Sequence, residues 1–128
     1  MPDWQPNWED IAFDHAAAQA AVDECRLSAG ALDTAFTGVG TAEATLAADG
    51  AWSGPYRFDF DAAQPVLMTD AADTAGALRR LANDIATAAV QARAEQDQRE
   101  RDRERWWAEK AVEDQQRAQH PPGRNIPV

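Results

Sequence analysis

Cysteine and histidine are almost missing from this chain: Cys25 is its single thiol, and His15 and His120 are its two imidazoles. One cysteine excludes an internal disulfide framework and a cysteine-based zinc site. Nucleophilic triads need a base and an orienting group brought to a nucleophile, and the histidines offer little for that. His120 stands beside Pro121 near the end, and His15 falls on an apolar seam. Glu-x-x-His pairs of the kind that hold two irons in helical bundles are absent. Gly38-Val39-Gly40 lacks the preceding strand and the third glycine of a phosphate loop. We therefore assign no catalytic residue, no metal ligand and no cofactor from the sequence, and expect a protein that is not an enzyme.

Basic residues are scarce over most of the length. Residues 1–92 hold only Arg26, Arg57, Arg79 and Arg80 against fourteen acids, whereas residues 93–128 balance eight of each sign. The net charge of −10 argues against nucleic acid and anionic membranes as partners. The break at Arg93 marks an organisational boundary. No stretch reaches the roughly 18–20 apolar residues of a membrane span, and no long apolar run with basic residues before it suggests a Sec signal. The expectation is a protein cytoplasmic as synthesised, with no membrane insertion. Large aliphatics are few as well, because much of the 45% apolar fraction is alanine. Alanine favours helices but contributes little buried area, so such helices need partners.

What is present is a helical period. Trp8, Ile11, His15, Ala18, Val22, Cys25, Ala29, Leu32, Phe36, Val39, Glu43 and Leu46 follow alternating steps of three and four, and all but His15 and Glu43 are apolar. That spacing predicts a long helix over about residues 8–49, with Asn7 as its N-cap, facing a second helix in left-handed packing. Gly38 and Gly40 each cost about 1 kcal/mol relative to alanine, which predicts fraying or a bend. Cys25 is expected as a small buried hydrophobe, the sharper alternative being a disulfide between subunits.

Two glycines and Pro55 place a turn at residues 50–55. A second helix should follow over about residues 56–118, irregular at first because Pro65 lies inside it. Leu67, Ala71, Thr74, Leu78, Leu81, Ile85, Ala88 and Ala92 supply its seam. From Arg93 the seam gives way to charged residues with i,i+4 pairs such as Glu95 with Arg99, read as a solvated helical extension. The expected fold is all-α: one antiparallel hairpin domain over residues 1–119, followed by a disordered tail at 120–128.

The hairpin joint carries Trp52-Ser53-Gly54. A Trp-Xaa-Gly tripeptide between two heptad seams of similar length, in a small acidic chain, resembles the WXG family of type VII (ESX) secretion-system proteins. The resemblance covers roughly residues 8–118 and rests on architecture more than identity. It implies helical hairpins that pair, with themselves or with a second WXG-like protein, into four-helix bundles. It also implies export by the type VII secretion machinery without a Sec signal. The dimer interface would then draw on Ile11, Val22, Cys25, Leu32, Phe36, Val39, Leu67, Leu78, Leu81 and Ile85. Trp52 would plug the hairpin tip or touch the secretion machinery, and Gly54 would supply a backbone conformation closed to other residues. The family's Tyr-Xaa-Xaa-Xaa-Asp/Glu export motif does not occur. Trp106, Trp107 and Glu109 are its nearest substitutes and the candidate export or docking residues. The alternative is a cytoplasmic helical scaffold, or an adaptor or chaperone for a larger exported toxin.

One further expectation joins the chain ends. Antiparallel pairing about Ser53 places Trp8 beside Gln98, and an extended segment upstream of Trp8 brings Trp4 to Trp106 and Trp107. Trp4, Pro6 and Trp8 would then anchor the polar extension. Otherwise Trp106 and Trp107 would form an exposed docking patch.

Overall fold

The computed structural model describes residues 1–48 and 54–119. Among them the chain forms two long α-helices, α1 (His15–Ala48) and α2 (Pro55–Gln119), and no strand. The joint at residues 49–53, including Trp52, and the tail at 120–128 lie outside the described residues. Two compact units result. Asp14–Ala89 forms a helical hairpin, and Met1–Phe13 folds with α2 from Val90 onward.

In the hairpin unit, alanine decides the contact line. Ala29, Ala75 and Ala82 are completely buried and Val22 nearly so. Small side chains let helix axes approach closely, toward the short end of the usual ~8–10 Å. The half-buried positions of α2 run Ala71, Leu78, Ile85 and Ala89 around that line. The expected seam is thus corrected by one residue at alternate positions. Ala75, Ala82 and Ala89 replace Thr74, Leu81 and Ala88, and on α1 Gly40 and Ala47 replace Val39 and Leu46. The larger residues of α2 are displaced to a flank because the fully buried alanines pack closer.

Three boundary expectations are also corrected. First, α1 begins at His15 rather than near Trp8, and its cap is Asp14, not Asn7. The Ala17 amide donates to Asp14 Oδ1 at 2.9 Å, and the Ala18 amide to the Asp14 carbonyl at 3.0 Å. Asn7 instead accepts from the Glu9 amide at 3.0 Å, closing a local turn. Second, α1 continues as a helix through both Gly38 and Gly40, without the expected fraying. Neither has an atom within 4 Å of where a Cβ would stand, so their smallness is not demanded by a neighbour. Third, α2 is regular from Pro55 and passes through Pro65 without a break. Pro65 has no N–H for the Asp61 carbonyl, but both residues are exposed and water can supply the donor. Gly54 precedes α2 with φ of 102°, a conformation that strains any side chain, and its carbonyl accepts from the Phe58 amide.

Candidate functional site

Each unit carries one surface fit for recognition. In the hairpin unit it is the flank left over by the alanine seam. Val39 (44% exposed) and Leu46 (43%) on α1, with Leu67 (53%) and Leu81 (49%) on α2, face solvent. Residues seven apart on a helix differ by only about 20° in direction, so Val39 and Leu46 form one column and Leu67, Thr74 and Leu81 another. Both columns lie on the same side of the helix pair. The opposite side is marked by Asp33, which pairs with Arg79, and by Met68, which shares a groove with Phe36 and Thr37. Tyr56 and Phe58 extend the apolar exposure toward the start of α2.

The expected interface residues therefore divide. Val22 is buried, and Cys25, Leu32, Phe36, Leu78 and Ile85 are half-buried within the hairpin unit. Val39, Leu67 and Leu81 are the exposed ones. Ile11 belongs to neither group. It precedes α1 and sits in the other unit.

The second surface gathers four of the five tryptophans. Residues 1–13 form a strap along α2, and beyond Ala92, where the apolar period ends, the same period continues beneath the strap, mostly in polar side chains. Gln96, Arg99, Arg103, Trp106 and Lys110 keep the steps of three and four and stay at least partly shielded. Periodicity in apolar residues alone could not show this, because the strap is held chiefly through its backbone.

Arg103 makes the densest set of contacts. Its Nε donates to the Asn7 carbonyl at 2.9 Å, its Nη2 to the Glu9 carbonyl at 2.8 Å and its Nη1 to Asp10 Oδ1 at 2.7 Å. Arg99 Nη1 donates to the same Glu9 carbonyl at 2.9 Å. Gln96 works in both directions, accepting from the Ile11 amide at 2.7 Å and donating to Asp10 Oδ1 at 2.9 Å. These bonds explain why no helix starts at Trp8. In a helix the Asn7 and Glu9 carbonyls would accept from Ile11 and Phe13. Here arginines occupy those carbonyls, the Ile11 amide is taken by Gln96, and the Phe13 amide donates to the Ile11 carbonyl. The Asp10 carboxyl is held below its ordinary value of 3.8, first by the Gln96 hydrogen bond and then by the bond and charge of Arg103.

The tryptophans lock the strap's far end. Trp106 is buried, 4% exposed, and its Nε1 donates to the Trp4 carbonyl at 3.0 Å. The Trp8 ring meets Trp106 edge-on at 5.2 Å and Trp107 at 6.1 Å, while Trp106 and Trp107 stand 4.9 Å apart at 88°. Arg105 lies over the Trp4 ring at 4.1 Å, and Trp4 Nε1 donates to Glu109 Oε2 at 2.5 Å. Pro2 and Pro6 are buried. Trp4 thus reaches Trp106 as the strap geometry predicts, but Trp8 sits beside the tryptophan pair, not beside Gln98. The reason is extension. From the Ile11–Gln96 contact to the Trp4–Glu109 contact the strap uses seven residues against thirteen of α2. Thirteen helical residues span about 20 Å, or nearly 3 Å per strap residue.

Of the three candidate docking residues, then, Trp106 and Glu109 are engaged by the strap and only Trp107 is left open, 55% exposed. An exposed patch of both tryptophans is not what the fold presents. No helix among the described residues is long and apolar enough to cross a membrane.

No family model matches this chain, and it has no significant match among curated proteins or solved structures.

Proposed function

We propose that this protein is a non-enzymatic, WXG-like member of a type VII (ESX) secretion pathway whose hairpin pairs with a second hairpin for export. One observation carries the pairing: the two heptad columns that the alanine seam leaves in solvent on one flank. Val39, Leu46, Leu67 and Leu81 repeat at the spacing that left-handed bundle packing requires, and their own hairpin leaves about half of each in solvent. A core of Val22 and three alanines is too thin to hold two helices well by itself. A second hairpin laid on this flank supplies the missing layers of a four-helix bundle.

The secretion assignment is supported by the resemblance of the Trp52-Ser53-Gly54 joint between two long helices. The positive φ of Gly54 fits a joint that needs glycine there. The partner is a second copy or a second WXG-like protein, and the export machinery reads the assembled bundle. In the native cell, inactivating the type VII ATPase should abolish extracellular accumulation of the protein. Unchanged accumulation would contradict export by that route.

A second reading has an observation of its own. The Tyr-Xaa-Xaa-Xaa-Asp/Glu motif is absent, and its nearest substitutes are partly held by the strap. This favours a protein that rides with, or chaperones, a larger exported toxin that brings its own signal.

A further inference from the structure

We propose that the stripe of α2 from Gln96 to Glu109 is a peptide-binding site for extended, acidic, tryptophan-bearing segments, occupied here by the chain's own residues 4–11. This goes beyond hairpin pairing and involves the other unit.

The site is built from one helix face. Gln96, Arg99, Arg103 and Trp106 recur at steps of three, four and three, so a single rigid element presents them in a row. What they grip is mostly what any extended peptide offers. Three of the bound groups are carbonyls, those of Trp4, Asn7 and Glu9, and a fourth is the Ile11 amide. Specificity enters at two points. The Asp10 carboxylate takes Arg103 and Gln96, and the rings of Trp4 and Trp8 take Arg105 and the Trp106–Trp107 pair. Tryptophan and arginine are the residue types that dominate binding energy at protein interfaces, and here they cluster with their polar atoms already directed at a ligand.

The ligand in place is tethered but not covalently fixed. A segment of the same chain competes intramolecularly, so the site is closed to dilute peptide and opens to a partner that carries the same chemistry at higher affinity. The occupant is a partner protein's extended segment with an acid placed two residues after a tryptophan, as Asp10 follows Trp8.

The test uses the full chain and a fluorescein-labelled synthetic peptide of residues 2–13, followed by anisotropy. Trp4→Ala with Asp10→Ala weakens the strap without touching the α2 stripe. The labelled peptide should bind this variant at least about tenfold more tightly than the wild-type chain. Adding Arg103→Ala should abolish the binding, and a peptide with both tryptophans replaced by alanine should bind at least about tenfold more weakly. Equal affinity for wild-type chain and strap variant, with equal helicity at 222 nm, overturns the proposal. If the strap variant loses helicity, the peptide should restore it, and failure to restore it also overturns the proposal.

Discussion

The indole N–H of Trp106 donates to the backbone carbonyl of Trp4 at 3.0 Å, closing a loop between residues 102 positions apart. This bond joins the part of α2 beyond Arg93, where the apolar seam has given way to polar residues, to a strap that has no regular secondary structure of its own.

Trp106 and Trp107 are neighbours in sequence with opposite roles, which makes them a matched pair of mutations. Trp106→Ala removes a buried ring and its hydrogen bond, and should lower stability by about 3–5 kcal/mol. Trp107→Ala removes a half-exposed ring and should lower it by less. Chemical denaturation followed by circular dichroism checks the order. Equal effects would mean that the strap does not bury Trp106 in solution.

The Asp10 contacts give the strap a dependence on pH. Because the folded pKa is lowered, the ionised form is favoured in the fold, and its contribution is fully present above the ordinary value near 3.8. It is lost as pH falls through that value toward the lowered one. Tryptophan fluorescence of the wild-type chain should therefore change on acidification below about pH 4. Asp10→Asn should show a strap already loosened at neutral pH and a smaller acid-induced change. An identical acid transition in both chains would remove Asp10 from the account.

Helix α1 should be sensitive at Asp14 and indifferent at Asn7. Asp14→Ala removes the acceptor of the Ala17 amide and should cost about 1 kcal/mol. Asn7→Ala loses only a local turn and should cost less. Thermal melts of the two variants compare them directly.

Substitution at Gly54 tests the joint. With φ at 102°, Gly54→Leu adds strain of about 1–3 kcal/mol even though no atom lies within 4 Å of the new Cβ. Gly38→Ala, in open space inside α1, should instead stabilise by up to about 1 kcal/mol. Denaturation midpoints moving in the same direction for both would contradict this assignment of backbone conformation.

Helical type and approximate length were legible in the sequence because the three-four period persists along both helices. The period was ambiguous at its edges, where alanine and leucine stand side by side. Leu81 and Ala82 both fit a seam, and only the close approach allowed by alanine decides that Ala82 is buried and Leu81 exposed. The start of α1 was hidden for a different reason. Trp8 and Ile11 keep the helical spacing, yet Arg99 and Arg103 capture the carbonyls a helix would need. Those arginines lie some ninety residues away, beyond the reach of any local pattern. The meeting of Trp4 with Trp106 was legible because chain lengths on the two sides of the joint constrain it. The strap's grip on Gln96, Arg99 and Arg103 was not, since a polar helix face ordinarily means solvent.

Sedimentation equilibrium of the full-length protein over a range of concentrations, beside Leu67→Arg with Leu81→Arg, tests the hairpin-pairing claim most directly. The wild-type chain should self-associate or, where its partner is a second WXG-like protein, melt without a cooperative transition when alone. Association should strengthen as salt screens the repulsion between two copies of net charge −10. The double variant should weaken it by about tenfold or more without loss of helicity, because each leucine withdraws apolar area from the paired flank. A monomer at every concentration, melting cooperatively and indistinguishable from the double variant, would contradict the account.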